Sequence, residues 1–254
     1  MTENYSGKRV FVSGSSSGIG LEIAKRFLSF GCFVGINGRN LKQLDQAATL
    51  LQSDKFLICP GDVGVFEEAS IAVENFNSVA GGIDTLICNA GISRTCDWGE
   101  ESESGWWSAL RGNLSTATNL VELFRDKLAE SSGNVVCISS ICGVEAIAGA
   151  PISYSVSKAA LNSYIKVSAR HLGQLGVRIN AVAPGNIIFD GSVWEKKLND
   201  DAEKVTEMLR RNVPIERFGD PNDIADLVVW LASPMAKNVT GSIMISDGGQ
   251  TVGF

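Results

Sequence analysis

The chain has 254 residues, 44% of them hydrophobic and 20% charged, which is typical of a globular protein. Its net charge is −6 and no basic run exceeds two residues, so nucleic acid is not expected as a partner. No apolar run approaches the ~18 residues of a membrane span. Because the N-terminal segment also lacks a signal-peptide core, we expect a cytoplasmic protein without membrane contact.

Seven short apolar, β-branched runs predict strands along the chain. They are residues 9–12, 33–36, 56–59, 85–88, 134–138, 178–182 and 242–245. Helical patterns lie between them, and the first ends at Gly31, a natural helix terminator. This alternation predicts an α/β fold: one Rossmann-type, doubly wound parallel sheet of about seven strands, with helices on both faces. Residues 1–254 are expected to form a single domain.

Residues 190–213 are the least regular part of the chain and are rich in charge. The segment predicts a helical insertion on the substrate side of the sheet, placed as a lid over a substrate site. The alternative is a solvated helical pair with no substrate role.

The six cysteines and the single histidine argue against a metal centre. No CxxC pair occurs, and several cysteines lie in apolar runs such as LICP and VVCIS, which predicts buried, reduced thiols. His171 is the only histidine, so a histidine-rich metal site is excluded and no metal is predicted.

A glycine-rich turn, SGSSSGIG at residues 13–20, follows the first predicted strand and precedes a helix. Glycines permit a tight turn and a close approach of backbone to pyrophosphate, and the helix N-terminus offers free N–H groups. The alternative is a plain tight turn. The predicted dinucleotide contacts here are Gly14, Ser15, Ser17, Gly18, Ile19 and Gly20.

The spacing of this turn resembles the cofactor loop of short-chain dehydrogenases/reductases, T-G-x-x-x-G-I-G, with Ser13 in place of threonine. Within that family the sequence is most similar to the 3-oxoacyl-acyl-carrier-protein reductase group. The second predicted strand ends in NGRN, residues 37–40, with no carboxylate for a ribose 2′-hydroxyl. Arg39 can pair with a 2′-phosphate, so NADP(H) is favoured. NAD(H) stays an alternative, because Ser17 stands where NADP-preferring members often carry a second basic residue.

Further motifs match the same family in order. Asp62 and Val63 resemble its adenine-binding pair, and CNAG at residues 88–91 resembles its N-N-A-G segment. The resemblance therefore implies cofactor contacts from Asp62, Val63, Asn89, Ala90 and Gly91.

APGNI at residues 183–187 resembles the family segment near the nicotinamide carboxamide. It implies cofactor contacts from Pro184, Gly185 and Ile187. Phe189 stands where the family has threonine, so that hydrogen bond is either lost or replaced by Asn186.

PISYSVSK at residues 151–158 places Tyr154 and Lys158 on one helix face. Such a pair is weak on its own, but S-x-x-G at Ser140 and the asparagine Asn113 complete a family pattern. The resemblance implies a tetrad. Tyr154 exchanges the proton, Ser140 holds the substrate oxygen, and Lys158 binds the ribose and lowers the Tyr154 pKa. Asn113 holds a relay water. Ser139 is expected to face the cofactor or core.

The sequence thus predicts an NADP(H)-dependent oxidoreductase that reduces a 3-oxoacyl thioester or related ketone to a secondary alcohol. Two alternatives stay open: a non-catalytic NADP(H)-binding scaffold or regulator, and a sugar or secondary-metabolite dehydrogenase of the same family. The expected partners are a small carbonyl or alcohol substrate, free or carrier-linked, and further copies of the chain in a tetramer or dimer.

Overall fold

Seven parallel strands form one sheet in the computed structural model, which describes residues 5–93 and 96–253. The spatial order is β3-β2-β1-β4-β5-β6-β7, and every neighbouring pair is parallel. The strands are β1 (Arg9–Val12), β2 (Phe33–Gly38), β3 (Phe56–Pro60), β4 (Thr85–Cys88), β5 (Asn134–Ile138), β6 (Arg178–Pro184) and β7 (Ile243–Ser246). The predicted fold class is confirmed. The termini and residues 94–95 of the predicted single domain lie outside the described residues.

Nine α-helices occur within the described ranges. They are α1 (Gly18–Ser29), α2 (Leu41–Thr49), α3 (Phe66–Ala80), α4 (Glu103–Leu110), α5 (Thr116–Ser131), α6 (Ile152–Gln174), α7 (Val193–Asp200), α8 (Ala202–Asn212) and α9 (Pro221–Ala232). A π-helical turn, Arg111–Ser115, joins α4 to α5. None of the helices has the length and apolar character needed to cross a membrane, in the part of the chain described.

The sheet is covered on both faces, because two apolar cores flank it. One core packs α1, α2 and α9 against the sheet, with side chains such as Phe27, Leu44 and Val228. The other packs α3, α5 and α6 on the opposite face, with Phe76 and Phe124 among its fully buried side chains. The strands are apolar without alternation because both of their faces are buried.

The order of the strands reverses between β1 and β4, and this reversal positions the site. In open α/β sheets a crevice forms beyond the carboxyl ends of the strands at such a switch point. The motifs found in the sequence lie at or after the carboxyl ends of β1 to β6, so the fold gathers them at one edge.

The predicted insertion at 190–213 contains α7 and α8. Each helix has a side-chain cap: Ser192 accepts from the N–H of Glu195, and Asp201 accepts from the N–H of Lys204. Helix α7 buries no residue, and α8 buries only Val205 and Leu209. This pair is therefore held less firmly than the helices on the sheet.

Candidate active site and cofactor cleft

A cavity of about 1670 Å³ runs along the carboxyl edge of the sheet, from the glycine turn to α7 and α8. Its volume exceeds the ~300–1,000 Å³ of a site for one small ligand. Every predicted site residue except Ser15 and Gly18 lines it. Those residues are Gly14, Ser17, Ile19, Gly20, Arg39, Asp62, Val63, Asn89, Ala90, Gly91, Asn113, Ser140, Tyr154, Lys158, Pro184, Gly185 and Ile187.

The glycine turn between β1 and α1 has no room for side chains at two of its glycines. Gly14 has φ +63°, and a Cβ there would lie 2.8 Å from Ala90 Cα. A Cβ at Gly20 would lie 2.3 Å from the carbonyl oxygen of Gly14. Ser17 is the N-cap of α1 but makes no side-chain cap, so the first-turn N–H groups keep no side-chain acceptor. The turn therefore leaves a helix N-terminus able to bind an anion.

Asn89 and Ser13 tie this turn to the end of β4. Asn89 Nδ2 donates to the carbonyl oxygens of Ser13 and Gly14, at 3.0 and 2.9 Å. Ser13 Oγ accepts from the N–H groups of Asn89 and Ala90, each at 3.0 Å. The serine found in place of threonine thus keeps a structural hydroxyl between the two strands.

Ser15, one of the predicted dinucleotide contacts, does not line the cavity. Its side chain is fully buried; Oγ donates to the carbonyl of Val12 at 2.8 Å and accepts from the N–H of Asn37 at 2.9 Å. The hydroxyl therefore braces the turn against β2 and does not face the cavity.

Phe189 covers Gly18, the other predicted residue that does not line the cavity. A Cβ at Gly18 would lie 2.5 Å from Phe189 Cε2, so the ring sits directly on the glycine. The backbone of Phe189 is fixed by Ser192, whose Oγ accepts from the Phe189 N–H at 3.2 Å. The departure from the family threonine thus puts an aromatic ring on the turn. Asn186 lines the cavity nearby.

Arg39 and Asp62 meet at the outer end of the cavity. Arg39 is 68% exposed in its side chain, and its Nη1 is 3.9 Å from Asp62 Oδ2. Asp62 Oδ1 accepts from the N–H of Gly64 at 2.9 Å. A pair this long and exposed is weak, so Arg39 can turn to another anion.

Ser140 and Ser139 point in different directions at the end of β5. Ser140 Oγ accepts from the N–H of Cys142 at 3.1 Å and also hydrogen-bonds the Tyr154 side chain. Ser139 Oγ donates to Asn162 Oδ1 on α6 at 2.6 Å, and Ser139 also lines the cavity. At Gly143, a Cβ would lie 2.6 Å from the Lys158 carbonyl carbon, which explains the glycine of S-x-x-G.

Burial shifts the pKa of Tyr154 and Lys158 in opposite directions. Lys158 Nζ donates to the Ile138 carbonyl at 2.9 Å and lies 5.9 Å from the centroid of the Tyr154 ring. Desolvation lowers the pKa of Lys158 to about 8. Desolvation raises the pKa of the partly exposed Tyr154 to about 12, although its hydrogen bond with Ser140 opposes the shift. The prediction of a lowered Tyr154 pKa is therefore wrong for this structure, because burial outweighs the polar contacts.

Asn113 projects from the π-helical turn toward the end of β4. Its Oδ1 accepts from the N–H of Ile92 and its Nδ2 donates to the carbonyl of Ala109, each at 3.1 Å. A Cβ on Gly91 would lie 3.0 Å from Asn113 Oδ1 and 3.4 Å from Lys158 Nζ. The structure thus brings Asn113 and Lys158 close to the same glycine. Each polar atom of the Asn113 amide uses one hydrogen-bonding site, so the second N–H of Nδ2 and the second lone pair of Oδ1 are left for the predicted relay water.

Glu101 is a site residue that the sequence did not indicate. Its Oε1 accepts from the N–H groups of Ile152 and Ser153, at 2.6 and 3.2 Å, in the first turn of α6. Desolvation opposes the shift, but these backbone hydrogen bonds hold the pKa of Glu101 below its usual value. Pro151 at the N-cap offers no side-chain acceptor. A carboxylate 51 residues earlier therefore caps the helix that carries Tyr154.

Comparison with known proteins gives matches over almost the whole chain. The family model described as enoyl-(acyl carrier protein) reductase matches residues 14–251. Nodulation protein G of Azospirillum brasilense is 32% identical over 248 residues, covering 95% of this chain and 97% of that protein. The 3-oxoacyl-acyl-carrier-protein reductase of Aquifex aeolicus is 32% identical over 248 residues, covering 96% and 97%.

A solved structure shows the same architecture. The crystal structure of L-sorbose reductase from Gluconobacter frateurii, complexed with NADPH and L-sorbose, superposes with a TM-score of 0.91 at 29% identity, covering 98% of both chains. The seven-stranded parallel sheet agrees with this match. The chain belongs to the short-chain dehydrogenase/reductase family of oxidoreductases.

Proposed function

We propose that this protein is an NADP(H)-dependent carbonyl reductase that forms a secondary alcohol. The observation that carries the proposal is the meeting of Ser140, Tyr154 and Lys158 in the same cavity as the glycine turn. A non-catalytic scaffold would have no need of a buried lysine beside this tyrosine, since desolvation of an ammonium is costly.

The residues at the cavity fit a dinucleotide phosphate. Gly14 and Gly20 form a cradle that a Cβ would fill, at the N-terminus of α1. Arg39, largely exposed at the outer end, would hold the 2′-phosphate, and Asp62 would face the adenine. The solved relative bound to NADPH supports the same choice of cofactor. When bound, the reduced nicotinamide supplies hydride chemistry.

The chain's own groups would hold the substrate oxygen and move the proton. The hydroxyls of Ser140 and Tyr154 would donate hydrogen bonds to the carbonyl oxygen. Because its pKa is raised to about 12, Tyr154 is protonated at neutral pH and can act as the general acid. With a pKa of about 8, Lys158 is mostly an ammonium there and would stabilise the phenolate that Tyr154 leaves. The pair thus suits reduction.

Self-association is part of the proposal. Ile152, Val156 and Val167 on α6 are exposed apolar side chains, and their spacing of 4 and 11 residues puts them on one helix face. A second copy covering this face would make a homodimer or homotetramer. Light scattering at micromolar concentration tests this, and a monomer would contradict it. The substrate is a small carbonyl compound, either free or linked to a carrier.

The test of function is NADPH oxidation with a panel of simple ketones, ketoses and 3-oxoacyl thioesters. We expect turnover with at least one member, and turnover about 10³-fold slower with the Tyr154→Phe variant. Tight NADPH binding without turnover on any carbonyl compound would contradict the proposal and favour the scaffold.

A further inference from the structure

Trp194 forms an aromatic wall of the cavity on the substrate side. Its ring lies 5.5 Å from that of Phe218, centroid to centroid, at an angle of 47°. The ammonium of Lys197 lies 4.4 Å from the Trp194 centroid. These two neighbours hold the ring in place. Because Trp194 also lines the cavity, the ring presents apolar surface to a ligand.

The adjoining lining is also apolar. Val205 and Met208 of α8 and Val193 of α7 line the cavity beside Trp194. The loop after β5 adds Cys142, Ala146, Ile147 and Ala148 to the lining. None of these side chains carries a strong hydrogen-bonding group. The space next to Ser140 and Tyr154 is therefore bounded mainly by hydrocarbon, sulfur and indole.

Three polar side chains that also line this part of the cavity are Asn186, Ser192 and Gln250. Asn186 is 9% exposed, and the partner of its Nδ2 is Met208 Sδ at 3.9 Å, a weak acceptor. Ser192 Oγ accepts from the N–H groups of Phe189 and Glu195, at 3.2 and 3.1 Å. Gln250 also lines the cavity, and its Oε1 is buried with no hydrogen-bond partner among the described residues, so it can accept from one donor of a ligand. These two amides can pair with only some of the hydroxyls of a polyhydroxylated substrate, and each hydroxyl left unpaired costs free energy on binding.

The charged residues of α7 and α8 at the cavity rim carry a small positive excess. The exposed cations are Lys197, Lys204, Arg210 and Arg211, and the exposed carboxylates are Asp200 and Asp201. Because simple ketones and ketoses are both neutral, this excess does not select between them.

We propose that the physiological substrate is a ketone with an apolar body, which packs on Trp194 and Met208 while its carbonyl meets Ser140 and Tyr154. This inference rests on the proposed function and selects apolar ketones over ketoses. A sugar-binding site in this fold would need several buried donors and acceptors at these positions, and the lining has chiefly aliphatic, aromatic and sulfur atoms instead.

The test compares kcat/KM for ketones and ketoses of similar size with NADPH in excess. The ketones are cyclohexanone derivatives and aryl alkyl ketones, and the sugars are L-sorbose and fructose. We expect the apolar ketones to exceed the sugars by about tenfold or more, since a few methylene groups in an apolar pocket give that discrimination. Equal or higher kcat/KM with the sugars overturns the inference.

Variants of the wall test which residues carry the preference. Trp194→Ala is expected to lower kcat/KM for the apolar ketones about tenfold, and Trp194→Phe to retain most of it. Met208→Ala is expected to cost a few-fold. Met235→Ala is the matched control, because Met235 is exposed and does not line the cavity. Thermal unfolding and NADPH affinity verify that each variant is folded.

The outcomes separate this inference from the proposed function. Turnover of ketones that is insensitive to both Trp194→Ala and Met208→Ala overturns the substrate assignment and leaves the reductase proposal standing. Tight NADPH binding without reduction of any carbonyl compound overturns the proposed function, and the substrate assignment with it.

Discussion

The two halves of the cavity are built in different ways. In the cofactor half, hydrogen bonds between main-chain groups and the side chains of Ser13, Ser15 and Asn89 join the ends of β1, β2 and β4. In the substrate half, α7 and α8 together have only two buried side chains, and they present Trp194 and Met208 to the cavity. The first half is shaped by backbone, the second by side chains on a loosely held helical pair.

The two halves of the cavity are expected to tolerate substitutions differently. In the cofactor half, a side chain added at Gly14 or Gly20 would clash with main-chain atoms. A substitution on α7 or α8 changes a lining side chain without disturbing the sheet. Elements with few buried apolar contacts also open at low free energy, so the substrate half can admit and release ligands while the cofactor half stays folded.

The largest expected effect is at Tyr154, where the two halves meet. Tyr154→Phe removes the hydroxyl that would donate the proton and that hydrogen-bonds Ser140. We expect kcat to fall by about 10³-fold, since general acid catalysis typically contributes 10²- to 10⁴-fold. NADPH affinity, measured by titration of its fluorescence, should be retained. A variant that turns over at the wild-type rate would exclude Tyr154 as the acid.

A second prediction concerns the effect of the buried Lys158 on how the free energy of unfolding changes with pH. Desolvation lowers its pKa from 10.5 to about 8 in the folded chain. Below about pH 8 the ammonium is charged in both states, and its burial destabilises the fold. Between the two pKa values the unfolded chain binds more protons, so this group raises the free energy of unfolding as pH increases.

Comparison of the wild type with Lys158→Met separates the contribution of Lys158 to this pH dependence from the contributions of tyrosines and cysteines. Urea unfolding should show the variant more stable than the wild type near about pH 7, with the difference shrinking by about 3 kcal/mol toward about pH 10. A pH-independent difference would mean that Lys158 is not desolvated as the structure has it.

A third prediction contrasts an arginine from each half. Arg39→Asp replaces the cation that would pair with a 2′-phosphate by a group that repels it. We expect the ratio of kcat/KM for NADPH to that for NADH to fall by about tenfold or more. Arg210→Asp, at an exposed position on α8 that also lines the cavity, is the control and should leave the ratio unchanged. Equal ratios in wild type and Arg39→Asp would argue against NADP(H) selection by Arg39.

The sequence predicted the fold and most of the cofactor half because both depend on local patterns. Buried parallel strands are continuous apolar runs, which the sequence shows directly. Three of the seven predicted strands have the observed bounds. Strands β2 and β6 are two residues longer than predicted, β3 is one residue longer, and β7 is shifted by one residue. The glycine turn was predictable because its spacing reflects steric limits of the main chain. Helix α4 was missed, since ESGWWSAL has two exposed or half-exposed tryptophans and a weak apolar stripe.

Features that depend on contacts distant in sequence were not predictable. The hydroxyl of Ser15 turns inward because β2 offers an N–H there, and the Phe189 ring rests on Gly18 because two loops meet. The Tyr154 pKa follows from burial, which no spacing of residues reveals. Glu101 is the clearest example, since the only trace in the sequence is a proline where α6 begins.

Glu101 also provides the smallest predicted effect, because it acts on Tyr154 only through the helix. Glu101→Ala removes the acceptor for the N–H groups of Ile152 and Ser153, in the turn that contains Tyr154. The first turn of α6 should then sample other positions, and the phenol should be aligned with Ser140 less often. We expect kcat to fall about three- to tenfold, with the KM for NADPH unchanged, in steady-state assays on the best ketone.

Two further variants distinguish positioning from a general loss of stability. Glu101→Gln keeps an oxygen acceptor of the same reach, so it should recover most of kcat. Glu103→Ala removes a neighbouring carboxylate that makes no contact with α6 among the hydrogen bonds of the described residues, and should behave as wild type. If Glu101→Gln is as slow as Glu101→Ala, the negative charge at the helix N-terminus matters more than the hydrogen bonds. If Glu101→Ala retains the wild-type kcat, the first turn of α6 is held by its packing alone.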